Sequence, residues 1–396
     1  MQAFQIAALP QLIVEEGGIN NLPELILRYG NKVLLVTGGT SFCSSAVWPR
    51  LNSQLDEANI VCHRFSVSGE PSPQLVDDAV MRFRQENIEV VVAIGGGSVL
   101  DAAKAIAGLL PFGNSVLDHL EGVGKGIEYH GPSLPMIAVP TTAGTGSEAT
   151  KNAVLSVQGE QGYKKSFRHD TLVPRIALLD PILLASCPPN LIASQGMDAF
   201  TQLLESFVST RANPFCDALA ISGLQEFSKG FWLAWEGDNT TAVTQARASM
   251  LYAAYISGVT LAQVGLGSVH GLASPLGAFF PIPHGVVCGT LVAAATELNI
   301  RLLEQRDEKN PSLEKYAEVG RLLATDSGLS SQQARQQLVE LLVQWTERLQ
   351  LPRLSEYGVK ESDIERIVAN SRGNSMLTNP LVLTDEEIAG LIRTRL

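Results

Sequence analysis

At 396 residues and 42.4 kDa the chain is long for one core and predicts two domains. With 45% hydrophobic and 17% charged residues it is a folded chain with ample core, and its net charge of −11 argues against a nucleic-acid partner, which would require a basic face. The five cysteines, Cys43, Cys62, Cys187, Cys216 and Cys288, are an odd, scattered set without a CxxC spacing. They read as reduced core thiols of a cytoplasmic protein, not as a disulfide frame or a zinc site. The opening MQAFQIAALPQLIVEEGG lacks a basic start and soon turns acidic, so no signal peptide is expected.

Lys32 to Thr37 is a short apolar run ending in Gly38, Gly39, Thr40 and Ser41, a buried strand followed by a tight turn. Ile60 to Val67 gives a second strand, and Gln74 to Arg84 has helical spacing in Val76, Ala79, Val80 and Phe83. Val90 to Ile94 is a third buried strand that runs into Gly95-Gly96-Gly97-Ser98. Strands alternating with helical segments predict a parallel sheet with helices on its faces.

The segment from Ser98 to Ala107 reads as a helix that begins at this glycine turn. Glycines let backbone approach a ligand, and a helix N-terminus presents free N–H groups to an anion such as a pyrophosphate. The same turn also fits an ordinary strand-to-helix connection, and it is not the GxGxxG fingerprint.

A further strand, Pro135 to Val139, leads into a loop in which every residue from Thr141 to Ser147 except Ala143 is a hydroxyl or a glycine. That composition suits wrapping a ligand more than facing solvent. Lys164-Lys165 and the apolar run Arg175 to Leu179 follow, and Pro188-Pro189-Asn190 places a domain boundary. Residues 1–187 are thus expected to form an α/β domain and residues 188–396 a helical one.

Leu191 to Val208 predicts a helix with Phe200, Leu203, Leu204 and Phe207 on one face and Asp198, Thr201, Gln202 and Glu205 on the other. Further on, the window from Ala248 to Thr296 contains no Asp, Glu, Lys or Arg, yet holds His270 and His284. Desolvation favours the neutral imidazole, which is the form that binds metals. Two core histidines bonded to backbone carbonyls are the alternative. A carboxylate beside two imidazoles is a divalent transition-metal set. Ser, Thr, Gln, His, Gly and Pro interrupt the window before the ~18 unbroken apolar residues of a membrane span are reached, so a buried helical core is expected. The remaining helical patterns, Cys216 to Trp232, Ala242 to Leu261, Leu313 to Ala324, Ser331 to Leu349, Asp363 to Asn370 and Asp385 to Thr394, read as amphipathic bundle helices.

On GGGSVLDAAK (Gly95 to Lys104), PTTAGTGSEAT (Pro140 to Thr150), Gly196-Met197-Asp198-Ala199 and the two-histidine stretch ending Pro283-His284-Gly285, the whole chain resembles the iron-containing (group III) alcohol dehydrogenase family. That family is related to glycerol dehydrogenase and dehydroquinate synthase. The resemblance implies an N-terminal Rossmann-like domain and a C-terminal helical domain, with nicotinamide and metal in the cleft between them. It places the pyrophosphate at Gly96, Gly97 and Ser98, near Asp101. The cofactor is implied to lie along Thr141, Thr142 and Thr145, with Lys165 as the lysine that follows this loop.

Asp198, His270 and His284 match three of the family's four metal ligands, an Asp and three histidines. At the fourth position stands Gln202, and Ser274 replaces a further histidine near the active site. Gln202, a weaker neutral oxygen donor, is then the candidate fourth ligand. Many NAD-using relatives carry an Asp after the first strand, where this chain has Gly38, followed by Gly39, Thr40 and Ser41. Glycines and hydroxyls accept a 2′-phosphate that a carboxylate repels, which favours NADP over NAD.

The expected function is metal-dependent hydride transfer, with Fe2+ or Zn2+, between NAD(P)(H) and a small alcohol, aldehyde or ketone. The expected assembly is a homodimer or larger homo-oligomer without a membrane or nucleic-acid partner. Two alternatives are a nucleotide-binding homologue with a lost metal site and a dehydroquinate synthase-like lyase. The lyase would need Lys and Arg around the metal, which the uncharged window does not supply.

Overall fold

The computed structural model describes residues 3–238 and 240–396. In the first half the chain runs β1 (Gln11–Val14), α1 (Leu22–Leu27), β2 (Lys32–Gly38), α2 (Val47–Glu57), β3 (Val61–Val67), α3 (Pro73–Phe83), β4 (Val90–Gly95), α4 (Gly97–Leu109), β5 (Met136–Pro140), β6 (Asn152–Val157), β7 (Tyr163–Arg168) and β8 (Ile176–Leu179). Six of these strands form a sheet of order β1-β8-β5-β4-β2-β3, parallel throughout. Burial on both faces explains why the central strands are near-continuous apolar runs. Val33, Leu35, Val92 and Ile137 point to one face with residues of α1 and α2. Leu34, Val36, Val91 and Ala138 point to the other, under α3 and α4.

From Pro189 onward the described residues form helices and connections: α5 (Pro189–Val208), α6 (Pro214–Glu236), α7 (Thr241–Val264), α8 (Ser268–Phe279), α9 (His284–Arg306), α10 (Pro311–Ala324), α11 (Ser331–Arg348), α12 (Ile364–Ala369) and α13 (Asp385–Arg393). Their core contains packed rings: Phe227 stacks on Phe231 with centroids 4.7 Å apart, and Phe200 meets Trp345 edge-on at 5.3 Å. The helix α9 is long and apolar enough to cross a bilayer, but 78% of its most apolar window is buried inside the fold, as in a core helix.

Sequence periodicity missed β1, α1, α2 and the antiparallel hairpin β6–β7. That hairpin pairs Leu155 with Lys165, so Lys164 and Lys165 lie in a strand. A short edge strand and a half-exposed, lysine-bearing hairpin lack the apolar run that marked the central strands.

Candidate metal and nucleotide site

The sheet and the helices enclose a cleft of about 1650 Å³. At its sheet end, β4 delivers the chain through Gly95 and Gly96 into α4, whose N-terminus carries no side-chain cap. A Cβ on Gly97 would fall 2.6 Å from the Thr145 side chain, so glycine lets the threonine loop lie directly against the start of the helix. Gly96, Gly97, Ser98, Thr141, Thr142 and Thr145 all line the cleft. A bare helix start facing hydroxyls fits a pyrophosphate. Of the four residues from the end of β2 onward, Ser41 lines the cleft, whereas Gly38, Gly39 and Thr40 lie outside its lining. Lys165 also lines it.

Asp101 lies beside this turn, but its carboxylate is engaged by protein. It accepts from the Ser147 hydroxyl at 2.5 Å and pairs with Lys104 Nζ at 3.0 Å. Lys104 is fully buried and donates to the Ser147 carbonyl and the Thr150 hydroxyl, each at 3.0 Å. These bonds fasten the threonine loop to α4: Asp101 lines the cleft itself, and Lys104 supports it from behind.

Glu148, next in the loop, is buried with Oε1 lacking a hydrogen-bond partner among the described residues. Burial pushes its carboxyl from 4.5 up to about 7, against the pull of its own backbone N–H and of Lys104. The folded state therefore holds a proton that the unfolded state releases near pH 4.5. The stability this confers is complete below that pH and is lost as pH rises through about 7. A Glu148→Gln variant is expected to flatten the stability profile between pH 5 and 7.5 by on the order of 3 kcal/mol, read from denaturant midpoints.

At the helical end, α5 carries Asp198 and α8 and α9 carry the histidines. Gly285 makes this approach close: a Cβ there would sit 2.3 Å from the Ser194 carbonyl oxygen, so only glycine lets α9 start against α5. His270 Nε2 and His284 Nε2 then lie 3.3 and 3.6 Å from Asp198 Oδ1. Asp198 is fully buried, and its Oδ2 has no hydrogen-bond partner among the described residues. Cys288 Sγ adjoins the same point, 3.6 Å from His270 Nε2 and 3.8 Å from His284 Nε2. One ligand atom from each of Asp198, His270, His284 and Cys288 falls within 4.8 Å of every other. An orphaned, buried carboxylate oxygen beside two imidazoles and a thiol is a donor set that fits a divalent cation.

Two residues here bear on the sequence expectations. Gln202, the candidate fourth ligand, lines the cleft beside the cluster, with Nε2 donating to Asp198 Oδ1 at 3.1 Å and Oε1 accepting from the Ser257 hydroxyl at 2.8 Å. The negative carboxylate selects the NH2 end, which leaves the amide oxygen engaged elsewhere. Cys288, read as a core thiol, stands inside the cluster. Its signal in the sequence was the spacing His284-x-x-x-Cys288, one helical turn.

Glu205 was also missed. Its Oε2 accepts from His270 Nδ1 at 2.7 Å and from the Gly267 N–H at 2.9 Å, while Oε1 accepts from the Val269 N–H at 2.7 Å. A carboxylate only accepts, so Nδ1 carries the proton and Nε2 faces Asp198. One side chain thus caps α8 and fixes the ring. Its hint was its place on the Asp198 face of α5, two turns on.

The electrostatics of these side chains follow from burial and from one another. Burial raises the Asp198 carboxyl, but His284 and His270 outweigh it and hold it at about 2. Burial also opposes charge on His270, yet Cys288, Asp198 and Glu205 keep it well above the usual histidine range. Burial prevails at His284, which falls to about 4 and is neutral.

A family model described as "Iron-containing alcohol dehydrogenase" matches residues 10–181, and one for the "Fe-containing alcohol dehydrogenase family, C-terminal" matches residues 192–396. The chain is 30% identical to alcohol dehydrogenase 4 of Saccharomyces cerevisiae over 96% of its own length and 94% of that protein's. The crystal structure of a 1,3-propanediol oxidoreductase superimposes with a TM-score of 0.89 at 27% identity, covering 100% of both chains. That of sulfoacetaldehyde reductase from Bifidobacterium kashiwanohense, in complex with NAD+, gives 0.85 at 26% identity over 100% of this chain and 99% of the other. Fold, motif order and both halves of the sequence agree: the chain belongs to the iron-containing alcohol dehydrogenase family of oxidoreductases.

Proposed function

We propose that this chain transfers hydride reversibly between NADP(H) and a small alcohol, aldehyde or ketone, with a divalent ion, Fe2+ or Zn2+, held by Asp198, His270 and His284. The observation that carries the reading is the meeting of one carboxylate and two imidazoles in the same cleft as the uncapped start of α4. When bound, the ion supplies Lewis acidity toward a substrate oxygen and the nicotinamide carries the hydride.

The chain's own residues do the positioning. Gly96, Gly97 and Ser98 receive the pyrophosphate, and Thr141, Thr142 and Thr145 hold the dinucleotide along the cleft. Glu205 keeps the proton of His270 on Nδ1, so that Nε2 stays directed at the ion. The apolar stretch from Ala248 to Thr296 excludes water and so strengthens each polar interaction inside. The relatives named above act on hydroxyl or carbonyl compounds by name, which supports small substrates of that class.

The preference for NADP rests on the segment Gly38 to Ser41 at the end of β2, which carries no carboxylate and of which Ser41 lines the cleft. Glu70, the nearby acid of the cleft, is engaged by Lys164 at 3.1 Å. A bond to a charged phosphate contributes ~1.5–3 kcal/mol, so kcat/KM for NADPH is expected to exceed that for NADH by roughly ten-fold or more. The test measures NADPH and NADH oxidation with a panel of short aldehydes, before and after chelation and re-addition of Fe2+ or Zn2+. Turnover that needs the ion and favours NADPH supports the reading, and Gly38→Asp is expected to move the preference toward NADH. Metal-independent turnover, or none with any aldehyde after reloading, would overturn it.

The division at residues 187 and 188, the cytoplasm and a homodimer or larger assembly complete the proposal. Five free thiols support a reducing compartment, and β1 at an open sheet edge supports self-association.

A further inference from the structure

We propose that Cys288 is the fourth protein ligand of the ion, binding as a thiolate, and that it makes this a zinc-selective site. The proposal rests on the reading above that an ion sits at Asp198, His270 and His284. His284 and Cys288 lie one turn apart at the start of α9, so a single rigid helix presents a nitrogen and a sulfur on one face.

Four of the six separations match an ion between them, and all six lie within 4.8 Å. For Zn–N and Zn–O of about 2.0–2.1 Å and Zn–S of about 2.3 Å, a tetrahedron has edges of about 3.3–3.4 Å between nitrogen or oxygen ligands and about 3.5–3.6 Å between nitrogen and sulfur. The histidine nitrogens lie 3.3 and 3.6 Å from Asp198 Oδ1, and the sulfur lies 3.6 and 3.8 Å from those nitrogens. Asp198 Oδ2, buried without a hydrogen-bond partner among the described residues, is independently available to a cation.

Gln202 is a poorer candidate, because its amide oxygen would have to abandon Ser257 and its NH2 group would have to release Asp198. Position also matters. His270 and His284 line the cleft and Cys288 does not, so sulfur closes the site from behind and the cleft side stays free for a substrate. Binding is a balanced exchange in which the S–H bond breaks, the sulfur–metal bond forms and the proton leaves to solvent. Asp198 and a Cys288 thiolate together cancel the charge of a divalent ion, which lowers the cost of burying it. Thiolate is a soft donor that favours zinc, and tetrahedral geometry with mixed N and S ligands suits zinc.

The test uses the full chain stripped of metal and reloaded with Zn2+ or Co2+. X-ray absorption of the zinc protein is expected to show one sulfur at about 2.3 Å per ion. The cobalt protein is expected to show a sulfur-to-cobalt charge-transfer band in the near ultraviolet that disappears in Cys288→Ser and persists in Gln202→Ala. Cys288→Ser should weaken zinc at least ten-fold in competition with a chelator while Fe2+ changes less. An ion bound one per chain with only nitrogen and oxygen neighbours would overturn the role of Cys288 and leave the metal-dependent reading intact. Failure of the wild-type chain to take up either ion would overturn both.

Discussion

Replacing Asp198 with alanine is expected to empty the site of metal and lower kcat/KM by roughly 10³-fold, since Lewis-acid stabilisation is worth several kcal/mol and each ~1.4 kcal/mol is ten-fold in rate. The expectation follows from position. Among the described residues Asp198 is the one carboxylate that reaches both His270 Nε2 and His284 Nε2, and it is fully buried. A divalent ion left with two imidazoles in an apolar pocket would keep most of its charge uncompensated. Asp198→Asn separates charge from shape: it retains the volume and a hydrogen-bond partner for Gln202, and is expected to lose metal nearly as completely. Elemental analysis and aldehyde-dependent kinetics on the same samples check both variants. Wild-type metal content in Asp198→Ala would remove the carboxylate from the site.

Glu205→Ala is expected to damage both stability and metal binding. Removing the carboxylate strips acceptors from the N–H groups of Gly267 and Val269 and from Nδ1 of His270. A buried donor left unpaired costs ~1–3 kcal/mol, so a loss of roughly 3 kcal/mol or more is expected in denaturant unfolding. Glu205→Gln keeps one acceptor oxygen and the side-chain volume, so the fold should persist. Its effect should appear in the ion instead, as a 10–100-fold weaker affinity by chelator competition, the usual magnitude for a residue that orients a ligating histidine. If Glu205→Gln bound metal as tightly as the wild type, Glu205 would be only a helix cap.

Much of the fold was legible because the central strands are buried on both faces and leave unbroken apolar runs such as VVVAI. Helices such as α3 and α13 were legible because they bury one face at a period of 3.6. Elements without that contrast escaped: β1 spans only Gln11–Val14, and β7 contains Lys164 and Lys165. In the site, the Asp198 face and the two histidines of the uncharged stretch were visible as residue types out of keeping with their surroundings. Glu205 stood on the same face without a partner to explain it, and Cys288 was hidden among scattered cysteines.

The sequence alone determined the alternation that builds a parallel sheet, the glycine turn before α4, the polar loop after β5 and the presence of ionisable groups in an apolar core, because these depend on local composition and period. Only the tertiary structure decided which atoms meet. The carboxylate of α5, the imidazoles of α8 and α9 and the sulfur one turn into α9 converge because Gly285 permits α9 to start against the backbone of α5. Whether Gln202 or Cys288 completes the set depends on which way a carboxamide is turned by a charged neighbour. That is a property of packed side chains that no residue spacing encodes.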